Sequence, residues 1–399
     1  MFKTSKGMRL HIGLYGRRNV GKSSLLNAIT KQEVSIVSKT AGTTTDPVEK
    51  PMELLPLGPV LFIDTAGIDD EGALGSQRVE KTRKSLERTD LGLIVTAAGQ
   101  WGDFERQLLD QLTTLGRQVL VVFNMSDCGS PDQTLLQQLD EQNVPWCQTS
   151  CLQKSGLEEL RSTIITLGSD ERLHPPELLS DLVPSGGMVL LVVPIDIEAP
   201  KGRLILPQVQ TIRAILDQDS WCCVVKENAL QEALNRLNSP PDLVVTDSQS
   251  FAEVAAIVPD SIPLTSFSIL FARLKGDLPQ LVTGTRNINQ LKPGDHVLIC
   301  ESCTHHPLED DIGTEKIPRW LEQHAGGMLR FTHVRGHDFP TNLSPYQLVI
   351  QCGACMWNRR EMLSRIDLCH HARVPISNYG LTIAFTRGIF PRALRPFGL

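Results

Sequence analysis

The sequence predicts an α/β protein: a doubly wound, mainly parallel sheet in a first block, followed by two further, smaller α/β domains. Three observations lead there. Short apolar runs alternate with helical patterns through the first block, and runs of that kind read as strands buried on both faces. The same alternation resumes after a polar, proline-bearing stretch. The length of 399 residues suits two or three domains of roughly 100–200 residues each.

In chain order, the segments MRLHIGLYG, PVLFIDTAG, LGLIVTAAG, QVLVVFN and VPWCQTS are the expected strands of the first domain, placed at residues 8–170. Lys22–Ile29, Gly75–Glu87 and Phe104–Leu115 are its expected helices. Strands alternating with helices imply a parallel sheet. The stretch Gly168–Gly187 reads as a linker. A second domain, 185–273, opens on the strand MVLLVVPIDI. It continues through helix Gln208–Asp217, strand WCCVVK, helix Ala229–Leu237, strand DLVVTD and helix Gln249–Ile257. It carries no catalytic motif, which assigns it scaffolding or self-association. The third domain, 274–399, has residues 1–7 as a candidate addition. Its strands HVLICES and YQLVIQC each lead into a cysteine-bearing turn.

Composition narrows the function. The net charge of −6 and pI near 6.0 argue against a generally basic nucleic-acid binder, though not against a local basic patch. No apolar run approaches the ~20 residues that cross a bilayer. The start MFKTSKGMRLHIGLYG has no signal-peptide core, so a cytoplasmic protein is expected. Five of the ten cysteines lie after residue 299 and eight of the ten histidines after residue 295. Without an export signal such clustering points to metal before disulfides.

The segment Gly16-Arg17-Arg18-Asn19-Val20-Gly21-Lys22-Ser23 fits G-x-x-x-x-G-K-[ST], with a strand before it and a helix after it. Backbone N–H groups of such a loop and the helix N-terminus cradle phosphates. The expected contacts are Asn19, Val20, Gly21, Lys22, Ser23 and Ser24, with Lys22 reaching the β- and γ-phosphates and Ser23 ligating Mg2+. Asp64-Thr65-Ala66-Gly67 follows a strand, so Asp64 can hold Mg2+ through water and Gly67 can offer its N–H to the γ-phosphate. Asn124-Met125-Ser126-Asp127 follows another, and Asp127 can accept hydrogen bonds from guanine N1 and N2.

The order Lys22, Asp64, Asn124 resembles the small GTPases, which implies GTP and GDP as ligands. Gly42-Thr43-Thr44-Thr45-Asp46 is similar to switch I of the tRNA-modification GTPases. That likeness implies Thr44, with Thr43 as runner-up, as a second Mg2+ hydroxyl. Thr149-Ser150-Cys151 resembles the last guanine-contacting loop, bringing in Ser150 and Cys151. Asn19 stands where the K+-activated members place an asparagine, which implies K+ beside the β- and γ-phosphates. Two positions depart from the pattern. Met125 replaces the usual lysine, and Ile68 stands where Ras-type proteins carry a water-orienting glutamine. No catalytic base is assigned; Asp69, Asp70 and Glu71 are the acidic neighbours. Slow hydrolysis is expected, in a switch that reports on bound nucleotide.

The third domain contains Cys300-Glu-Ser-Cys303-Thr-His305-His306 and, later, Gln351-Cys352-Gly-Ala-Cys355. Two readings stay open on spacing alone. One is a four-thiolate zinc site using both C-x-x-C pairs. The other is an iron–sulfur cluster on Cys303, Cys352 and Cys355 with one iron open, for which His305, Glu309, Asp310, Asp311 or water could serve. Cysteine C-T-H, a gap in the mid-forties and C-x-x-C behind a GTPase domain and a middle domain resemble the FeFe-hydrogenase maturation GTPases, HydF. The likeness runs to the tail FTRGIFPRALRPFGL.

That resemblance implies a 4Fe-4S cluster on Cys303, Cys352 and Cys355, with His305 as an accessory. It also implies a diiron subcluster precursor as cargo, homodimerisation by the middle domain, and radical-SAM maturases and apo FeFe-hydrogenase as partners. Gln351 departs from the family's histidine, and an amide is a poor iron ligand. The alternative is a tRNA- or ribosome-associated GTPase with a structural cysteine-rich zinc domain. Arg387, Arg392 and Arg395 are read either as docking an anionic partner or as a solvated tail.

Overall fold

The computed structural model describes residues 6–30, 48–65, 82–170, 176–195, 202, 204–302 and 311–399. The chain divides into two compact units, Met1–His174 and Pro175–Leu399.

The first unit is built on a six-stranded sheet ordered β2-β3-β1-β4-β5-β6. Its strands are β1 Leu10–Tyr15, β2 Val48–Leu54, β3 Gly58–Asp64, β4 Leu91–Ala97, β5 Gln118–Asn124 and β6 Trp146–Gln148. All neighbours are parallel except β2, which runs antiparallel to β3. Alternate residues of the same strands feed two separate cores, as the period of two requires. Ile12, Leu14, Leu93, Val95 and Leu120 pack with Leu25, Leu26 and Ile29 of helix Lys22–Thr30 and Leu160 and Ile164 of helix Leu157–Gly168. Tyr15, Ile94, Val121 and Phe123 pack with Leu108, Leu109 and Leu112 of helix Asp103–Thr114 and Leu139 of helix Gln133–Glu141. Helices therefore cover both faces, which is the doubly wound arrangement the sequence predicts. Strand β2 was not predicted. Its sequence VEKPMEL has no apolar run, and Pro51 is tolerated because the strand lies at the sheet edge.

The second unit holds two four-stranded parallel sheets. The first, ordered β10-β9-β7-β8, comprises β7 Met188–Val192, β8 Trp221–Val225, β9 Leu243–Thr246 and β10 Leu264–Ser266. The other, ordered β12-β11-β13-β14, comprises β11 His296–Glu301, β12 Arg330–Arg335, β13 Leu348–Gln351 and β14 Ile376–Asn378. The two sheets repeat one topology: the first strand lies between the second and the third, and the fourth lies beyond the third. They also share a core. Leu190, Val192 and Val244 of one belong to the same apolar cluster as Leu298, Val349 and Ile376 of the other. Helices Phe267–Lys275 and Leu278–Arg286 contribute Ile269, Ala272, Leu281 and Val282 to that cluster. The opposite faces are covered separately, by Phe267, Leu270 and Phe271 in one sheet and by Ile317, Trp320 and Leu321 in the other.

Several helices begin on side-chain caps. Asp132, Ser266, Asp277, Asn358 and Asn378 each accept from a backbone N–H in the first turn of the following helix. Such a cap is worth about 1 kcal/mol. Part of the expected linker is core: Leu178, Leu179 and Val183 are buried against the β7 sheet. The basic tail is anchored within its own unit. Arg392 donates to the carbonyls of Ala255, Val258 and Pro259, Arg395 to that of Asp260, and Arg387 lies 4.5 Å over the Trp320 ring. No described helix is long and apolar enough to cross a membrane.

Candidate functional sites

In the first unit the motif residues converge at the carboxyl ends of the parallel strands, beside the switch in strand order around β1, where open α/β sheets bind ligands. The loop after β1 holds its shape through glycines. A Cβ on Gly16 would stand 2.1 Å from the Val95 carbonyl oxygen, and one on Gly21, whose φ is +89°, 2.4 Å from Asn124 Nδ2. Asn19 itself has φ 62° and is exposed. Val20 is buried and Ser24 exposed. Lys22 is buried, with Nζ donating to the carbonyls of Gly16 and Arg17 at 2.7 Å each. Ser23 Oγ donates to Asp64 Oδ2 at 2.9 Å, so the two oxygens expected at Mg2+ lie side by side. Burial raises the Asp64 pKa, against the lowering influence of Ser23, Lys22 and Lys50.

The guanine-reading segments join the same loop. Asn124 is 2% exposed. Its Nδ2 donates to the Val20 carbonyl at 2.9 Å, and its Oδ1 accepts from Thr149 Oγ1 at 3.1 Å and Cys151 Sγ at 3.6 Å. Ser150 Oγ donates to Asp127 Oδ1, and that bond lowers the Asp127 pKa. Asp127 is therefore a fixed, ionised acceptor at an exposed position. The Met125 methyl lies over the loop, 3.8 Å from where a Cβ on Gly21 would stand.

Pattern reading missed one anchor of this site. Arg17 makes a two-point contact with Glu105 at 2.8 and 3.2 Å and lies 5.3 Å over the Phe104 ring. Glu105 is fully buried and also accepts from the Gly102 N–H. The P-loop is thereby tied to helix Asp103–Thr114. Only a carboxylate two residues into a helix signals this in sequence. Thr43, Thr44, Gly67, Asp69, Asp70 and Glu71 lie outside the described residues.

In the second unit the turn with Cys352 and Cys355 occupies the equivalent topological position, at the carboxyl end of β13. Strands β11 and β13 are parallel neighbours, with Cys300 opposite Gln351, so both finish at the same carboxyl end of the sheet. Cys352 N donates to the Cys300 carbonyl at 2.9 Å. Ala354 at φ 49° turns the chain back, and Cys352 and Cys355 are half-buried. Ser302 supplies two contacts to Cys352 Sγ, its N–H at 3.1 Å and its Oγ at 3.0 Å. Donors aimed at sulfur suit a thiolate that ligates a metal or cluster.

Cys300 is different. It is fully buried in the shared core, and burial pushes its thiol pKa up to about 12. That environment suits a packed thiol. Cys303, His305, Glu309 and Asp310 lie outside the described residues. Among the described residues no three His, Cys, Asp or Glu side chains are grouped to hold a metal.

The turn is braced from the neighbouring helix. Lys275 Nζ donates to the Trp357 carbonyl at 2.9 Å, and Arg359 Nη1 caps the carbonyls of Arg273, Leu274 and Gly276. At the end of β11, buried Glu301 pairs with Arg335 at 3.0 Å and accepts from Tyr379 at 3.3 Å. Burial, with Cys352 and Glu301 adding to it, raises the Tyr379 pKa well above its ordinary value. His333 and His337 bond to the Gly313 carbonyl and to Glu361.

The fold and the first site define a P-loop GTPase domain, followed here by a second α/β unit with thiols at a strand switch. Comparison with known families agrees and goes further. Residues 11–125 match the 50S ribosome-binding GTPase family, 178–276 the hydrogen maturase F dimerization domain, and 279–396 the hydrogen maturase F tetramerization domain. The last two together span more than half of the chain, which belongs to the hydrogen maturase F family.

The P-loop domain also has curated relatives. GTPase Der of Wolinella succinogenes is 39% identical over 125 residues, covering 30% of this chain and 26% of its own length. The tRNA modification GTPase MnmE of Heliobacterium modesticaldum is 34% identical over 174 residues, covering 41% of this chain and 36% of its own. Among solved structures, the G domain of FeoB from T. maritima is 24% identical, covers 40% of this chain and 99% of its own, and has a TM-score of 0.32. The chain spans between about a quarter and two fifths of the length of the curated relatives it matches.

Proposed function

We propose that this chain is a GTP-binding, slowly GTP-hydrolysing scaffold in hydrogenase maturation. In this reading the first unit binds Mg2+ and GTP through Lys22, Ser23, Thr44, Asp64 and Gly67, reads guanine through Asn124, Asp127, Ser150 and Cys151, and takes K+ at Asn19. The second unit holds a 4Fe-4S cluster on Cys303, Cys352 and Cys355, with one iron site open and His305 as accessory. Bound there, the group offers an exchangeable iron position to the diiron precursor, which is cargo destined for apo FeFe-hydrogenase. Radical-SAM maturases supply that cargo, and the protein works in the cytoplasm.

One observation carries the reading. The two hydrogen maturase F domains cover the unit in which Ser302, one residue before Cys303, sets both its N–H and its hydroxyl against Cys352 Sγ. The complete burial of Cys300 in the apolar core supports three thiolates over a four-thiolate zinc site, because a thiol packed among aliphatic side chains serves as a small core group.

Self-association follows from the dimerization and tetramerization domains, and we place the dimer contact at β8. That strand is an open sheet edge, and Trp221 and Val224 on it are 52% and 44% exposed. An apolar edge with no further partner strand among the described residues is a ready template for a second strand.

The experiment is anaerobic reconstitution of the full chain with iron and sulfide, followed by metal analysis and EPR of the reduced protein. The reading expects an iron–sulfur signal. A colourless protein that binds zinc and no iron would overturn it.

A further inference from the structure

Arg365 is 4% exposed and carries a permanent charge. Its guanidinium lies 4.1 Å over the Trp357 ring and 4.6 Å over that of Phe339. Its bonds go to neutral groups: Gln351 Oε1 at 3.0 Å, the Gly336 carbonyl at 3.0 Å, the Asp338 carbonyl at 3.1 Å and the buried Cys300 thiol. Among the described residues no carboxylate forms an ion pair with it. The buried carboxylate at the end of β11, Glu301, is matched to Arg335. A buried charge without a counter-charge is costly, so this position suits an anionic group close by.

Gln351 shows where that group would lie. It is fully buried. Arginine only donates, so the amide atom facing Arg365 is the oxygen, and the –NH2 must point the other way. That –NH2 reaches the Cys300 carbonyl at 3.3 Å and Cys352 Sγ at 3.6 Å. The amide thus links a buried cation to the sulfur that Ser302 also faces.

We infer that Gln351, oriented by Arg365, is a positioning residue that directs an N–H at Cys352 Sγ and raises the reduction potential of the cluster held there. This rests on the cluster reading above. It gives the residue that replaces the family's histidine a role as donor to a ligand, with no bond of its own to iron. Hydrogen bonds and positive charge at cluster sulfurs favour the more electron-rich reduced state, which is the physical basis of the shift.

The test is an EPR-monitored potential titration of reconstituted full-length protein, with dithionite supplying the single electron. Gln351→Leu and Gln351→Glu are compared with the unsubstituted chain, and iron and sulfide are counted in each. Leucine removes the donor. Glutamate keeps the shape but removes the donor, neutralises Arg365 and turns an acceptor toward sulfur. At a fixed potential the ratio of reduced to oxidised cluster should fall about threefold for leucine and about tenfold for glutamate, the latter being ~59 mV for a one-electron couple. A purely structural role predicts the reverse order, because glutamate is the closer isostere. Unmoved potentials in both variants, or a larger shift for leucine, would overturn the inference while leaving the cluster reading intact. Absence of an iron–sulfur signal in the unsubstituted chain would overturn both.

Discussion

Replacing Asn124 by alanine should loosen the P-loop even with no nucleotide added. The side chain spans from the Val20 carbonyl to Thr149 Oγ1, with Cys151 Sγ as a weaker third contact. Alanine would delete both strong bonds and strand a buried carbonyl and a buried hydroxyl. At about 1–1.5 kcal/mol for each bond, the loss is ~2–3 kcal/mol. With tenfold per 1.4 kcal/mol, local opening should rise by roughly 30–150-fold. Hydrogen exchange by mass spectrometry on the full chain measures this directly. Peptides covering residues 17–30 and 146–152 should exchange faster by that factor, while a peptide containing β9 should not change. Exchange in both segments within about threefold of the unsubstituted chain, ~0.65 kcal/mol, would show that Asn124 does not join the loops.

Three other outcomes follow from the same geometry. Met125→Lys restores a cation above the loop and should tighten GTP binding about tenfold by calorimetry; unchanged or weaker binding would show that the missing charge does not limit affinity. Asp64 has a raised pKa, so its folded form holds the proton more tightly than the unfolded chain does. Its contribution to stability is therefore full below the unfolded value and is lost as pH rises through the raised folded one. Mg2+·GTP needs the carboxylate and should bind more tightly over that same rise, and Asp64→Asn should abolish both trends in denaturation and binding curves. Trp221→Glu puts a charge on the exposed edge of β8 and should shift the sedimenting species to a smaller assembly, whereas an unchanged distribution would place the contact elsewhere.

What could be read in the sequence was local or periodic. The P-loop, Asp64 and the Asn124–Asp127 segment were legible because their chemistry needs fixed residues at strand ends. Strands such as LGLIVTA were legible because burial on both faces makes them continuously apolar. Strand β12, RFTHVR, was not, since its exposure is mixed and it lies at a sheet edge. Strands β10 and β14, three residues each, are too short to show a period. The common core of the two sheets in the second unit is a long-range property that no window reveals. Gln351 could be seen only as a departure from a pattern, because its partner Arg365 lies on a different element. The tail arginines looked like docking groups because their carbonyl partners stand more than 130 residues away in sequence.

The three-thiolate assignment stands or falls on one set of reconstitutions. Cys300→Ala, Cys303→Ala, Cys352→Ala and Cys355→Ala are each loaded anaerobically with iron and sulfide, and bound iron and the EPR of the reduced protein are read. Loss of the signal in the last three, with Cys300→Ala retaining it and GTP binding intact throughout, is the expected result. A cluster that survives Cys303→Ala and vanishes in Cys300→Ala would contradict the assignment.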